Sequence, residues 1–518
     1  MGRVLRVQRA HIVISHICGP KADQPSTLAG CAIPTMWVFR TRRRDRVLHI
    51  DVEPRVVMTD TVPGAAPRNA GTPKSFRTGL ALITLGALVV RVVNVLLTTR
   101  PLGLEDPSYY HLQANLLADS AGFRDPFSWY FFKRAIPTAF HPPLFSTVLA
   151  VPSWLGFRTP LEHRLTACVI GATIVIGIGV LGRYLGGNRL GLIAAGIAAL
   201  YPNLWQIDGL LFSEGLAASL VVVALLLAYR LRERPRFPTA IGLGGAIGLA
   251  ALTRPETILL LVILATPIAL RARAMRTSRR LALAAACIAA TALILAPWLV
   301  RNLTSFEKPV LFSTNGDAVI GVANCPETYY NKGLLGYWAP CARTIDTRPV
   351  RAPGGKPRVQ KYEESVNAAN LRDAGMEYLW SHRGRFATVV VWARLARVWD
   401  LYPHPVNTVR LSESEGRYHN VAVVALITYW IVLALAIAGA IVLHRRRGPP
   451  LWPLLTPLVV VCVVAVYAYG AVRFRAVAEP SLILLAAVAV DAMLGRHAGR
   501  RTEVVDQPGE SSSPALIQ

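Results

Sequence analysis

Pro142-Pro143-Leu144-Phe145-Ser146-Thr147-Val148-Leu149-Ala150-Val151-Pro152-Ser153-Trp154-Leu155-Gly156 is apolar almost throughout, and its reading sets the topology of the whole chain. Crossing ~30 Å of hydrocarbon takes about 20 residues, and this stretch is shorter and opens on two prolines. Charge decides the matter. Arg183 and Arg189 flank one loop, and Arg230, Arg232, Arg234 and Arg236 fill the next on that side. Arg271, Arg273, Arg276, Arg279 and Arg280 fill another, Arg445, Arg446 and Arg447 a fourth, and Arg496, Arg500 and Arg501 close the series. Basic short loops belong on the cytoplasmic side. If 142–156 crossed, every one of those loops would fall outside, so it reads as an interfacial or re-entrant segment on the outer face.

Ten apolar runs then remain as spans, near 79–98, 163–183, 189–206, 209–230, 239–253, 255–271, 280–299, 420–443, 451–470 and 474–495. The expected fold class is an all-α polytopic membrane protein with both termini cytoplasmic. Composition agrees: 518 residues, 53% hydrophobic and 17% charged, with a mean hydropathy of +0.40. The net charge of +26 would suggest nucleic acid in a soluble protein. Here the arginines lie mostly in short loops and no basic groove with interleaved aromatics is visible, so nucleic-acid binding is excluded. The excess of Arg over Lys, with abundant Ala, Val and Gly, reads as a GC-rich bacterial, actinobacterial genome.

Five domains follow. Residues 1–78 are a cytoplasmic tail. Residues 79–299 form a transmembrane module whose first outer loop, 99–162, carries the candidate chemistry. Residues 300–419 form a second extracytoplasmic region, 420–495 the last spans and 496–518 a disordered tail. Within the second region, 363–400 reads as two helices lying at the membrane surface, because apolar residues alternate with Arg383, Arg385, Arg394 and Arg397. Seven cysteines are too scattered for a disulfide scaffold. Cys168, Cys287 and Cys462 lie in apolar runs as packing residues, while Cys325 and Cys341 share one outer loop and are candidates for a bridge. No Cys or His spacing suggests zinc.

The candidate chemistry begins at Glu105-Asp106-Pro107-Ser108-Tyr109-Tyr110, directly after the first span. A carboxylate pair beside a membrane face is costly to hold without a purpose. Asp106 before Pro107 suits a helix N-cap, and it equally suits a general base facing a membrane-borne substrate. His141 stands before the two prolines, with Lys133 and Arg134 nearby, so acid and base share one loop. By topology Glu214, Arg254, Glu256, Arg301, Arg473 and Arg475 reach the same face. Arg254 with Glu256 also reads as a local ion pair, and Arg473 and Arg475 as residues snorkelling to the interface. Mixed charge of this kind suits transfer from a phosphate donor: the acid activates the acceptor and the cations hold the leaving phosphate.

These residues resemble the GT-C superfamily of membrane glycosyltransferases, most of all the family 39 branch that includes protein O-mannosyltransferases and the lipid A aminoarabinose transferase. The resemblance rests on Asp106, His141-Pro142-Pro143-Leu144, Tyr201-Pro202-Asn203, Ser213-Glu214, Leu252-Thr253-Arg254-Pro255-Glu256, Pro297-Trp298-Leu299-Val300-Arg301-Asn302 and the Arg473 to Pro480 stretch, over roughly 79–495. It implies a polyprenyl-phosphate sugar donor used on the extracytoplasmic face of the plasma membrane. It further implies an acceptor in the cell envelope (glycolipid, polysaccharide or protein), inversion at the sugar, Asp106 as base and a pocket shaped by Glu214. Two departures stand out. Relatives often carry Asp-Glu where this chain has Glu105-Asp106, which leaves Glu105 as a second candidate acid. Many carry Lys where this chain has His141, so Arg301, Arg254 or Arg473 is expected to supply the missing charge. Tyr110 is expected to line the site. No cofactor is required by the sequence, no DxD motif or His cluster points to a metal, and a divalent ion is left open.

The rival readings are a lipid-linked glycan flippase or transporter, a polymer ligase of the envelope, and a non-catalytic assembly partner. A transporter calls for ionisable residues at mid-membrane depth or broken helices in paired halves. No inverted repeat is visible, and the acidic residues sit near span ends, with Asp491, inside the last run near its cytoplasmic end, as the exception. Residues 1–57 are basic and irregular and differ from all that follows, whereas Met58-Thr59-Asp60 opens a polar, Pro/Gly-rich lead-in. N-terminal sequencing of the native protein is therefore expected to begin at Met58, and a peptide from 1–57 would overturn that start.

Overall fold

The computed structural model describes residues 73–98, 102, 106–272, 275–341, 363–403, 405–446 and 448–505. Residues 1–72, including the expected start at Met58, lie outside them, as do Glu105, Arg273, Arg447 and most of the C-terminal tail. Among the described residues there is no strand; Arg124 and Pro137 form an isolated antiparallel bridge. The chain is all-helical and multi-pass.

It begins with α1 (Pro73–Leu97) and the short helices α2 (Asp106–Ala118), α3 (Pro126–Phe132) and α4 (Leu144–Trp154). Then come α5 (Pro160–Gly186), α6 (Asn188–Leu200), α7 (Pro202–Gly209), α8 (Glu214–Glu233) and α9 (Phe237–Ala251). A 3₁₀ turn (Pro255–Ile258) and a π turn (Leu261–Ala265) lead to α10 (Thr266–Leu270) and α11 (Thr277–Ser305). The second loop region holds α12 (Thr314–Ala323), α13 (Pro326–Tyr330), α14 (Glu364–Ser381), α15 (Arg383–Arg385) with a following π turn, α16 (Val391–Val398) and α17 (Pro405–Ser414). The chain ends with α18 (His419–Arg445), α19 (Trp452–Tyr467), a 3₁₀ turn (Val472–Val477) and α20 (Glu479–Val505).

Five helices, α1, α5, α8, α11 and α18, are long and apolar enough to cross a bilayer, and α6 with α7 would make a sixth span bent by 50°. The bend falls at Tyr201-Pro202, where proline lacks the N–H that a continuous helix needs. The segments α4, α9, Pro255–Leu270 and α19 are apolar but shorter. Burial separates a centre from a periphery: 56% of the apolar window is buried in α5 and in α8, against 22% in α1 and 28% in α18. Lipid supplies little hydrophobic drive between helices, so close contact relies on small residues. Gly244 of α9 lies against the backbone of Cys287 in α11, and Gly439 of α18 against that of Leu485 in α20. A Cβ at either position would collide with backbone.

Helices do form over 363–400, and Arg383 is exposed, but Arg394 and Arg397 are turned inward. Arg394 is fully buried and donates to Val466 O (2.6 Å), Ala323 O and Asn324 Oδ1 (2.9 Å). Arg397, 3% exposed, donates to Leu335 O and Gly333 O, both at 2.6 Å. Backbone carbonyls accept from both guanidiniums, so α16 packs its basic side inward beside α19. Cys325 and Cys341 are joined by a disulfide across α13, with Cα atoms 6.2 Å apart.

Arg475 lies in a buried tie between helices. Its Nη1 is 2.7 Å from Asp400 Oδ2, its Nε 2.6 Å from Glu479 Oε1, and its guanidinium sits 3.5 Å from the Tyr429 ring centre. Tyr201 donates to the other Glu479 oxygen at 2.9 Å, and Asn203 donates to Tyr201 and to Ala425 O. Removing one member of a buried pair leaves the others charged and unpaired, at a cost of about 3–5 kcal/mol. Arg475→Met is therefore expected to lower the unfolding temperature of the detergent-purified protein by several degrees. An unchanged melting temperature would show that the network is not under load.

Candidate active site

Asp106 is the first residue of α2, and Pro107 occupies the first turn. The helix buries Tyr109, Tyr110 and Ala114 against Phe145 and Leu149 of α4, which fixes the direction of its N-terminus. Asp106 Oδ1 lies 3.2 Å from His141 Nε2, and Oδ2 accepts from Arg473 Nη1 at 2.9 Å. One carboxylate thus receives one basic group from the loop after α3 and another from the 3₁₀ turn before α20.

His141 is held by aromatics: it stacks on Tyr110 at 4.7 Å and meets the edges of Tyr109 (4.9 Å) and Phe140 (4.8 Å). Tyr110 in turn donates to Ser213 Oγ at 3.2 Å. Arg473 packs its guanidinium near the Phe212 and Phe474 rings and points Nη2 to Tyr469 OH at 3.4 Å. Behind it Glu214, only 2% exposed, stands 3.9 Å from Arg473 Nε and accepts from Arg254 Nη1 at 3.1 Å. Arg254 also donates to Glu256 at 2.8 Å. The local ion pair expected of Arg254 and Glu256 is thus present, within a larger chain that runs Glu256–Arg254–Glu214–Arg473–Asp106–His141.

This chain of charges borders a cavity of about 330 Å³. Asp106, Tyr110, His141, Arg254, Glu256 and Arg473 line one side. The other is built by the second loop region, from Pro309, Leu311, Phe312, Ser313, Asn315, Asp317 and Arg372. Tyr467 and Phe474 contribute aromatic surface. Nothing in the sequence pointed to Asp317 or Arg372, which line the cavity, or to Tyr469, which accepts from Arg473; each comes from a segment with no motif of its own. The step from Tyr469 to Arg473, four residues back, is the one local signal.

Two expected residues lie elsewhere. Arg301 does not border the cavity: it donates to Thr138 O (2.9 Å), Asn302 Oδ1 (2.9 Å) and Phe123 O (2.8 Å), boxed by the rings of Trp298 and Phe306. Two of these bonds tie it to the first loop. Arg475 belongs to the buried tie with Asp400 and Glu479. Glu105 lies outside the described residues. Lys133 and Arg134 are exposed beyond the end of α3 and do not border the cavity.

Burial alone would push the Asp106 carboxyl up, but the charges of His141 and Arg473 and their hydrogen bonds outweigh it and hold the group well below the usual carboxylate range. Arg473 is raised further: burial opposes its charge, while Tyr469, Asp106, Glu214 and Glu415 favour it. Burial pushes up the Glu415 carboxyl nearby. The two guanidiniums are therefore already matched by Asp106, Glu214 and Glu256. An incoming anion has to compete for them. Cys325, Glu327 and Cys341 lie within metal-binding distance of one another, but the disulfide removes both thiolates as ligands.

No family model matches the chain, and no curated protein does. Among solved structures it is similar to the oligosaccharyltransferase of Archaeoglobus fulgidus in complex with Zn and sulfate, at 16% identity and a TM-score of 0.47, over 82% of this chain and 50% of that one. The same enzyme tethered with an acceptor peptide gives 14% identity and a TM-score of 0.49, over 85% and 52%. ArnT from Cupriavidus metallidurans bound to undecaprenyl phosphate gives 16% identity and a TM-score of 0.35, over 85% and 82%. The chain spans about half the length of the oligosaccharyltransferase it matches.

Proposed function

We propose that this protein is a membrane glycosyltransferase of the GT-C kind that moves a single sugar from a polyprenyl-phosphate donor to a hydroxyl of an envelope acceptor, on the extracytoplasmic face. The observation that carries the reading is the meeting of Asp106, His141 and Arg473 at the edge of one cavity that Arg254 also lines. Asp106 takes the acceptor proton as the acceptor oxygen attacks the anomeric carbon. The bond from that carbon to the phosphate oxygen breaks, and the electron pair leaves with the lipid phosphate. Attack opposite the leaving group inverts the sugar. Arg473 and Arg254 stabilise the departing phosphate, with His141 beside them.

Arg473 has two tasks in this scheme. Paired with Asp106 it holds the carboxylate as a weak base. A donor phosphate that draws Arg473 toward itself removes that restraint, and burial then raises the basicity of Asp106. The base is therefore weakest before the donor arrives, which favours donor binding first.

The transporter reading gains one observation, the fully buried pair of Arg91 in α1 with Asp208 in α7 at 2.7 Å. The space beside it is only about 10 Å³, too small for a pathway, and Gly171 and Gly215 pack directly on the Asp208 carboxylate.

Asp106→Asn is expected to lower transfer by about 10²–10⁴-fold in membranes given radiolabelled polyprenyl-phosphate mannose or arabinose. Full activity in that variant would end the assignment. Movement of lipid without transfer by the unsubstituted protein would favour the flippase.

The pH profile gives a second check. A depressed carboxyl stays ionised through the ordinary carboxylate range, and its charge pairs weaken only as the pH falls through the lowered value. The kcat/KM profile of the free enzyme is therefore expected to show no acid limb from Asp106 above about pH 4. Arg473→Gln removes a lowering influence and leaves the burial, so an acid limb is expected to move upward into the measurable range. A limb that stays in place would separate Asp106 from the rate.

A further inference from the structure

Glu364, the first residue of α14, is 6% exposed and stands where three parts of the chain meet. Its Oε1 accepts the Ala139 N–H at 3.0 Å and the Thr314 hydroxyl. Thr314 N–H donates back to Ala139 O at 2.9 Å, so the two contacted residues are also bonded to each other. Its neighbour Ser365 accepts the Lys308 N–H at 2.9 Å, and Glu363 caps the helix through Val366 N–H at 2.7 Å. From the opposite side Arg301 holds Thr138 O. Thr138 Oγ1 in turn accepts the Phe140 N–H at 3.1 Å.

Each contact lies one or two residues from a cavity wall. Ala139 precedes His141 and Pro142, which line the side that bears Asp106. Lys308 and Thr314 bracket the run from Pro309 to Ser313, and Thr314 is followed by Asn315, Gly316 and Asp317 on the facing side. No part of α14 before Arg372 lines the cavity itself.

We propose that Glu364 is a positioning residue that fixes the cavity wall carrying His141 relative to the facing wall of 309–317. The reactive half of the inference rests on the glycosyl-transfer reading; the placement half does not. The carboxyl acts as an acceptor shared by two N–H and O–H donors. Burial pushes its titration upward, so a neutral isostere suits the site. Glutamine keeps the accepting oxygen and can direct its amide N–H toward Thr138. Alanine keeps neither.

The test compares Glu364→Ala and Glu364→Gln in the full chain, purified in lipid nanodiscs. Hydrogen exchange is read along the chain, and transfer is read from polyprenyl-phosphate mannose and arabinose. In Glu364→Ala, amide protection at 138–141 and at 313–317 is expected to fall together by about tenfold or more, with α5 and α18 unchanged. The kcat is expected to drop by about 10–100-fold, as for other displacements near 1 Å, with KM for the lipid donor changed much less. Glu364→Gln is expected to restore both readouts. Unchanged protection in Glu364→Ala, loss at one wall alone, or equal loss in Glu364→Gln would overturn the proposal. Should Glu364→Ala lose protection everywhere, Glu364→Asp, whose carboxylate is one methylene short, is read by the same criteria. If the unsubstituted protein transfers neither sugar, the functional reading fails while the exchange result still decides the placement.

Discussion

The carboxylate of Asp106, shared between His141 and Arg473, is the contact on which the arrangement of this protein depends. The three residues come from the start of α2, the loop before α4 and the 3₁₀ turn before α20, so they meet only when both ends of the membrane domain are in place. Charges in such surroundings are costly unless matched. Arg473 is matched by Asp106 and Glu214, Glu214 by Arg254, and Arg254 by Glu256. A continuous chain of opposite charges keeps a polar cavity stable inside an apolar protein. The same matching restrains each group chemically. An arginine engaged by carboxylates offers itself to a phosphate by exchange, and a carboxylate engaged by an arginine gains basicity only when released.

The fold deals with its other buried arginines differently, and the contrast marks the cavity. Arg394, Arg397 and Arg301 donate chiefly to backbone carbonyls, which hold them in position. Arg91 and Arg475 are paired with carboxylates in closed surroundings, where they tie helices together. Of these seven, Arg254 and Arg473 are the two that line the cavity of about 330 Å³. A buried arginine in this protein is thus defined by what lies beside it rather than by its charge.

The second loop region has a part in the site that its lack of motifs conceals. It supplies the wall opposite Asp106, and the N-terminus of α14 ties that wall to the loop bearing His141. The disulfide and the inward-facing arginines of α16 brace the same region from behind. The cavity therefore lies between two parts of the chain and belongs to neither alone.

Hydropathy and the placement of arginine in short loops were enough to reveal a helical, multi-pass protein, because both follow from local composition against a membrane of fixed thickness. The same local logic exposed Asp106 at a helix start, His141 before its prolines, and Arg254 beside Glu256. It could not tell Arg473 from Arg475, or Arg301 from either. All three are arginines at span ends, and direction rather than type separates them: in a 3₁₀ turn, residues two apart point to different sides, one to the cavity and one to Asp400 and Glu479. Nor could it find Asp317, Arg372 or Glu364, which act through partners dozens to hundreds of residues away. Sequence sets what each segment can be, since helix, span and cap depend on near neighbours. Which charges share one space is settled by packing alone, because opposite charges separated by 367 positions in the chain meet only when the helices between them have closed.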